Sequence, residues 1–171
     1  MGDQQFSLLA PPALSVRPTD SGRRQVGIAF VFTKPTRGGA VAELPEKARK
    51  LFKEPNLTYI ATVMRDGSPQ VTPVWVELSN GHVCFNTAVG RVKEKNIRRD
   101  PRVAVSIANR EDPYDKVDLR GRVVDMVVGP EADEMIDRLA KKYLGEDEYP
   151  WRSPDEQRVM VKIEPESVNT V

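Results

Sequence analysis

The stretch Leu57-Thr-Tyr-Ile-Ala-Thr-Val-Met-Arg-Asp-Gly-Ser-Pro-Gln-Val-Thr-Pro-Val-Trp-Val-Glu-Leu-Ser-Asn-Gly-His-Val-Cys-Phe-Asn-Thr87 decides the reading of the fold. Its first eight residues, 57–64, are rich in Thr, Tyr, Ile and Val, the residues that suit a pleated, half-buried surface. Asp66-Gly67 then reads as a hairpin turn, because a type I′ turn needs positive φ, which Gly and Asp tolerate. Residues 70–78 form a second strand, Asn80-Gly81 a second turn, and 82–87 a third strand. Three antiparallel strands in succession predict a meander.

Downstream, residues 90–99 read as a short basic helix, stopped at Asp100-Pro101 because proline disfavours helix in the residue before it. Residues 103–108 and 117–128 are strands, and Gly121 inside the second marks a bend, a bulge or a close backbone approach. Gly129-Pro130 opens a helix with the stripe Ala132, Met135, Ile136, Leu139, Ala140 and Tyr143. Lys141 and Lys142 suit its last turn and Gly145 its end. A polar loop with Tyr149, Pro150 and Trp151 leads to a sixth strand over 158–164. Upstream, Leu44, Ala48, Leu51 and Phe52 make one face of a helix with Pro45 in its first turn.

Residues 1–42 differ: Pro11, Pro12, Pro18, Pro35 and Gly38-Gly39 interrupt them, and only the apolar run 26–32 could pair as a strand. The expected organisation is an irregular or partly disordered extension over 1–42 and one domain over 43–171. Six mainly antiparallel strands with intervening helices predict an α+β fold. Closure into a full or partial barrel removes exposed edges; an open sandwich with helices on one side is the competing arrangement.

Composition bounds the function. The 171 residues, 39% hydrophobic and 30% charged, suit a single globular domain. No run of about 18 apolar residues is long enough to span a membrane, and the first residues lack the basic-then-apolar pattern of a secretory signal. A cytoplasmic protein is expected. Cys84 and His82 are the sole residues of their kinds, so no Cys/His metal site is expected. Cys84 sits mid-strand, where a buried, inert thiol is the expectation. There is no Gly-x-Ser-x-Gly elbow, no phosphate-binding Gly-x-x-x-x-Gly-Lys loop and no Gly-x-Gly-x-x-Gly.

What remains is the junction Phe85-Asn86-Thr87-Ala88-Val89-Gly90-Arg91-Val92-Lys93. A strand ends at a threonine, turns at glycine and enters a helix whose first turn carries two cations. Free N–H groups at a helix start favour anions, and the Thr87 hydroxyl adds a donor. The wider cluster Arg91, Lys93, Lys95, Arg98, Arg99 and Arg102 reads equally as a solvated helix face. It has no interleaved aromatics on which bases could stack, so no nucleic-acid partner is expected.

These segments together resemble the pyridoxamine-phosphate-oxidase-like split barrels, most closely their F420-dependent branch. The resemblance spans roughly residues 43–168. It rests on Leu57-x-Tyr-Ile-Ala-Thr-Val, Val71-Thr72-Pro73-Val74-Trp75-Val76, Phe85-Asn-Thr-x-x-Gly-Arg-x-Lys93, Asn96-Ile97-x-Arg-Asp-Pro-Arg-Val103 and Leu119-Arg-Gly-Arg-Val123. It implies a six-stranded antiparallel split β-barrel and a homodimer with two cofactor sites across the interface. By position, Arg91 and Lys93 bind the cofactor phosphate with Asn86 and Thr87 beside them. Thr72, Pro73, Val74 and Trp75 lie along the ring system, although Trp75 reads equally as a core aromatic. Tyr149 and Trp151 are placed near the cofactor tail or serve as loop anchors.

The implied activity is an F420-dependent oxidoreductase that transfers a hydride to an unsaturated or conjugated small organic substrate. An FMN-binding oxidoreductase of the same type and a non-enzymatic carrier of F420 or flavin are the alternatives. No side chain is assigned as catalytic, because the cofactor carries the chemistry; Tyr59 is a proton donor only if its hydroxyl faces the pocket. The Arg-x-Pro-x-Arg-Leu-x-Pro tail of true pyridoxamine phosphate oxidases has no counterpart in Glu164-Pro-Glu-Ser-Val-Asn-Thr-Val171, so vitamin B6 oxidation is not expected.

Overall fold

The computed structural model describes residues 41–170 and the backbone of two short segments before them. Those segments are β1 (Ser15–Val16) and β2 (Ala29–Val31). Helix α1 (Glu46–Lys53) follows, then β3 (Thr58–Val63), β4 (Pro69–Val74), β5 (Val76–Ser79) and β6 (His82–Ala88). The chain continues through α2 (Val92–Arg99), β7 (Arg102–Ala108), β8 (Lys116–Val128), α3 (Pro130–Leu144) and β9 (Arg158–Thr170).

Seven strands form one antiparallel path, β4-β3-β7-β8-β9-β6-β5. Its two ends are consecutive in the chain and separated only by Trp75. In a flat sheet six inter-strand gaps would hold them about 29 Å apart, whereas a one-residue link spans only about 7 Å. The sheet therefore rolls until its edges meet at Trp75. The result is an α+β barrel that is split, because β4 and β5 touch through the chain and not through a ladder.

This arrangement corrects the expected meander. The run over 70–78 is not one strand: β4 pairs with β3 (Thr58↔Val74 to Val63↔Pro69), and β5 pairs with β6 (Val76↔Phe85) on the far side of the path. Val74 and Val76 both turn into the core, while Trp75 leaves the ladder and packs towards α3. Six expected strands thus become seven. The Asp66-Gly67 turn also differs from type I′, since among its residues Gly67 alone has positive φ, 88°. The Met64 N–H donates to the Ser68 carbonyl at 2.8 Å, which leaves a three-residue loop, and the Asp66 carboxylate accepts from the Ser68 N–H and hydroxyl. Asn80-Gly81 does adopt the two positive φ values of the expected turn, 49° and 81°.

The main core lies inside the barrel, where Ile60, Val83, Phe85, Val105, Ile107, Leu119 and Ile163 meet Ala48, Leu51 and Phe52 of α1 and Leu44 just before it. A second cluster fills the gap between α3 and the outer side of β6 and β9: Met135, Ile136 and Leu139 against Cys84 and Met160. Pro130 occupies the first turn of α3, and Gly145, at φ 82°, closes it in the left-handed region.

β9 is longer than expected, because residues 164–170 pair with the first half of β8 across register shifts at Arg120/Gly121 and Val123/Asp125. Gly121 is required there: a Cβ would lie 2.6 Å from the Glu164 carbonyl oxygen and 2.9 Å from Ile163 Cγ2. β2 pairs with β8 from Ala29↔Val127 to Val31↔Asp125, so part of the 26–32 run is a strand. Apart from β1 and β2, the expected extension over 1–42 lies outside the described residues up to residue 40. Among the described residues no helix is long and apolar enough to cross a membrane.

Candidate cofactor site at the split

The topology opens a wedge. β5 covers β6 only as far as Phe85, so Asn86, Thr87 and Ala88 pair with β9 on one side and have no ladder partner on the other. β4 pairs only with β3. From their common vertex at Trp75, two unpaired strand edges diverge. One lip carries Thr72, Pro73 and Val74; the other carries Asn86, Thr87 and Ala88. Pro73 has no N–H to donate, which suits an edge.

Helix α2 spans the open end. An eight-residue helix is not stable alone, and this one is held by tertiary bonds. Asn96 Nδ2 donates to the Thr62 hydroxyl at 3.0 Å, and that hydroxyl donates to Gln70 Oε1 at 2.9 Å. Arg99 donates to Asn96 Oδ1 and to the Val63 carbonyl. With Ile97 fully buried, α2 is fixed to the β3–β4 hairpin, and so to the opposite lip.

The start of α2 is built around the left-handed turn at Gly90, φ 85°. Arg91 is the N-cap residue but makes no side-chain cap, so the first-turn N–H groups of Val92 and Lys93 have no intrahelical acceptor. The buried Glu94 carboxylate accepts from the Gly90 N–H at 3.1 Å and pairs with Arg98. The Arg91 guanidinium is paired with Glu156. Lys93 is half-buried, and among the described residues no hydrogen bond or ion pair engages it. Burial first, and the Arg91 charge second, hold its ammonium below the usual lysine pKa. A desolvated cation beside free N–H groups is an anion site in chemical terms.

Two hydroxyls point the same way. Thr87 is fully buried on the face of β6 that carries Val83 and Phe85, and its Oγ1 has no partner among the described residues. Thr72, opposite Ile60, also has a buried Oγ1 without a partner among the described residues. A buried hydroxyl left unpaired costs about 1–3 kcal/mol, so these two atoms, one on each lip, fit a ligand that supplies acceptors. Asn86 lies on the opposite face of β6, where its Nδ2 donates to the Ala132 carbonyl of α3 at 2.7 Å. It joins the lip through its backbone.

Trp75 is half-buried at the vertex, stacked on Tyr143 at 5.2 Å and edge-on to Tyr149 at 6.1 Å, with Trp151 at 6.4 Å. Tyr149 and Trp151 therefore anchor their loop within the same chain. The Tyr143 hydroxyl accepts from the Val76 N–H at 3.1 Å and donates to the Asn56 carbonyl at 3.0 Å. Lys142 donates to the carbonyls of Phe52 at 2.6 Å and Val76 at 2.7 Å, and burial pushes its pKa down to about 8. These contacts lock the vertex from behind. Cys84 is fully buried, and burial pushes its thiol up to about 12, which leaves no thiolate for chemistry. Among the described residues no group of three or more His, Cys, Asp or Glu could hold a metal.

The eight residues singled out from sequence thus border one wedge, with Thr72 to Trp75 on one side and Asn86 to Lys93 on the other. Asn96, Lys142 and Glu156 also shape it through partners distant in sequence and carry no local signal, whereas Glu94 is held by Gly90 and Arg98, and Arg158 pairs with the nearby Glu156.

The sequence profile of the pyridoxamine 5'-phosphate oxidase family matches residues 44–171. No curated protein matches the chain. Among solved structures, an F420 reductase is 28% identical with a TM-score of 0.64, over 74% of this chain and 98% of that one. A conserved hypothetical protein from Mycobacterium tuberculosis is 20% identical, TM-score 0.59, over 79% of this chain and 88% of that one. General Stress Protein 26 from Bacillus anthracis is 18% identical, TM-score 0.52, over 74% and 92% respectively. The last two share the fold alone. With the split barrel, its wedge and a match over almost the whole described chain in agreement, the protein belongs to the pyridoxamine 5'-phosphate oxidase family.

Proposed function

We propose that this protein is an F420-dependent oxidoreductase that works as a homodimer, with the deazaflavin seated in the wedge. The observation that carries the reading is the pair of buried hydroxyls of Thr72 and Thr87, one on each lip and without a partner among the described residues, together with Lys93 at the α2 start, which engages no hydrogen bond or ion pair among them. Lys93, Arg91 and the first N–H groups of α2 hold the phosphate. Thr87 donates from the same lip. The unpaired edge of β4 from Thr72 to Val74 borders the ring system, and Trp75 closes the vertex. When bound, the deazaflavin supplies hydride transfer to an unsaturated or conjugated organic acceptor. The chain's own work is to bind, orient and exclude water. The 28% identity to an F420 reductase, over 98% of that chain, supports F420 ahead of FMN.

The outer face of β3 and β4 supports the dimer. Tyr59 is 48% and Val71 58% exposed there, and with Ala61 and Ala104 they line a shallow hollow of about 540 Å³. Single exposed apolar residues are ordinary, but a contiguous patch on a sheet face marks an interaction surface. Tyr59 stands opposite Pro73 on this outer face, away from the barrel interior, so a second copy would bring its phenol near the cofactor lip.

Separate titrations with F420 and FMN test the proposal. Both tryptophans of the chain, Trp75 and Trp151, lie at the vertex and report binding by fluorescence. Saturable binding of F420, tighter than FMN, is expected. Tighter FMN binding transfers the reading to the FMN type. Tight F420 binding without oxidation of reduced F420 by any of a panel of conjugated acceptors leaves a carrier. Binding of neither refutes the proposal.

A further inference from the structure

One carboxylate beside the wedge has no role in holding an anion, and its geometry sets it against one. The loop before β9 returns alongside the start of α2, where the Val89 N–H donates to the Gln157 carbonyl at 2.9 Å. This places Glu156 between two arginines. Its Oε1 pairs with Arg91, and its Oε2 lies 2.7 Å from Arg158 Nη2. The two arginines are unequal. Arg158 is 5% exposed, its guanidinium lies over the Tyr149 ring at 4.5 Å, and its Nη2 has no well-aligned hydrogen bond. Arg91 has a side chain that is 48% exposed.

A buried guanidinium cannot lose its counter-ion without a large penalty, whereas a half-exposed one rehydrates. The Glu156–Arg158 contact is therefore the fixed half of the bridge and the Glu156–Arg91 contact the exchangeable half. An anion that reaches the α2 start and engages Arg91 as well as Lys93 must take Arg91 from Glu156. A phosphoryl group, whose acceptor oxygens can engage Arg91, Lys93 and the free N–H groups together, wins that exchange. A carboxylate or halide brings no more than Glu156 already supplies.

We propose that Glu156 is an internal competitor that sets the anion selectivity of the wedge, admitting phosphoryl groups and rejecting weaker anions. The inference rests on the proposed cofactor site, and its test is separable from that of the function. The probes are F420, FMN, riboflavin as the phosphate-free ring, and inorganic phosphate read by thermal shift. The variants are E156Q, R91A and R91A/E156Q. The double variant E156Q/R158Q removes both charges of the buried pair and serves if E156Q fails to fold.

E156Q should bind F420, FMN and inorganic phosphate roughly two- to five-fold more tightly, as removal of one half-exposed ion-pair competitor predicts. It should leave riboflavin unchanged, and chloride should compete with phosphate more effectively than in wild type. The gain should vanish in the R91A background. Unchanged or weaker phosphate binding in a folded E156Q or E156Q/R158Q protein overturns the proposal, as does a gain that persists without Arg91. If wild type binds neither F420 nor FMN, the proposed function falls, and the inorganic-phosphate arm alone decides whether Glu156 is a competitor.

Discussion

Replacing Lys93 with alanine separates binding from folding. In the folded chain Lys93 is half-buried and engages no hydrogen-bond or ion-pair partner among the described residues, so its removal breaks no contact. Its burial and the neighbouring Arg91 charge disfavour the ammonium, which makes Lys93→Ala neutral or slightly stabilising. With a phosphate in the wedge the ammonium gains a charge-assisted hydrogen bond, worth about 1.5–3 kcal/mol. At about 1.4 kcal/mol per decade, F420 affinity should fall roughly ten- to a hundred-fold. Stability carries a second signature. The folded pKa lies below 10.5, so between the two values the unfolded chain binds more protons and wild-type stability rises with pH. Lys93→Ala should lose that contribution. Lys95, exposed on the same helix, is the control, and Lys95→Ala should cost far less affinity. The assays are fluorescence titration with F420 and FMN, and thermal unfolding across the alkaline range. If Lys93→Ala binds both cofactors as tightly as wild type does, the start of α2 is only a solvated basic face and the phosphate assignment is wrong.

Gly121→Ala should destabilise by about 1–3 kcal/mol, because its Cβ would press on the Glu164 carbonyl and the Ile163 side chain; an unchanged denaturant midpoint would refute the close approach. Asn96→Ala should cost about 1–3 kcal/mol, since it removes the buried amide that ties α2 to Thr62. It should also weaken F420 binding while Arg91 and Lys93 are intact, and unaltered affinity would show that the tie does not set the wedge. Val71→Asp places a charge in the exposed apolar patch of β4 and should convert the proposed dimer to a 19.2 kDa species in sedimentation velocity. Wild type sedimenting only as that species at micromolar concentration would remove the dimer itself.

Much of this architecture is legible locally. The 3.6-residue spacing of Leu44, Ala48, Leu51 and Phe52, and that of Ala132, Met135, Ile136 and Leu139, marks two helices whose predicted faces are the buried ones. Asn80-Gly81 dictates its turn because two successive positive φ values are a property of those residues alone. Gly90 followed by Arg91 and Lys93 announces an anion-seeking helix start for the same reason: a helix terminus presents its free N–H groups wherever it is placed. Strand partners are another matter. Period-2 alternation says which face of 70–78 is buried but not which neighbour it joins, so the break at Trp75, which turns a meander into a split barrel, was decided by closure. Only the tertiary structure puts the β4 and β6 edges on the two sides of Trp75, hangs α2 from Thr62 through Asn96, and brings Glu156 to Arg91. The physical reason is range. Backbone conformation and amphipathic period are set by neighbours a few residues apart, whereas desolvation and charge pairing depend on whichever groups closure of the barrel brings within about 4 Å.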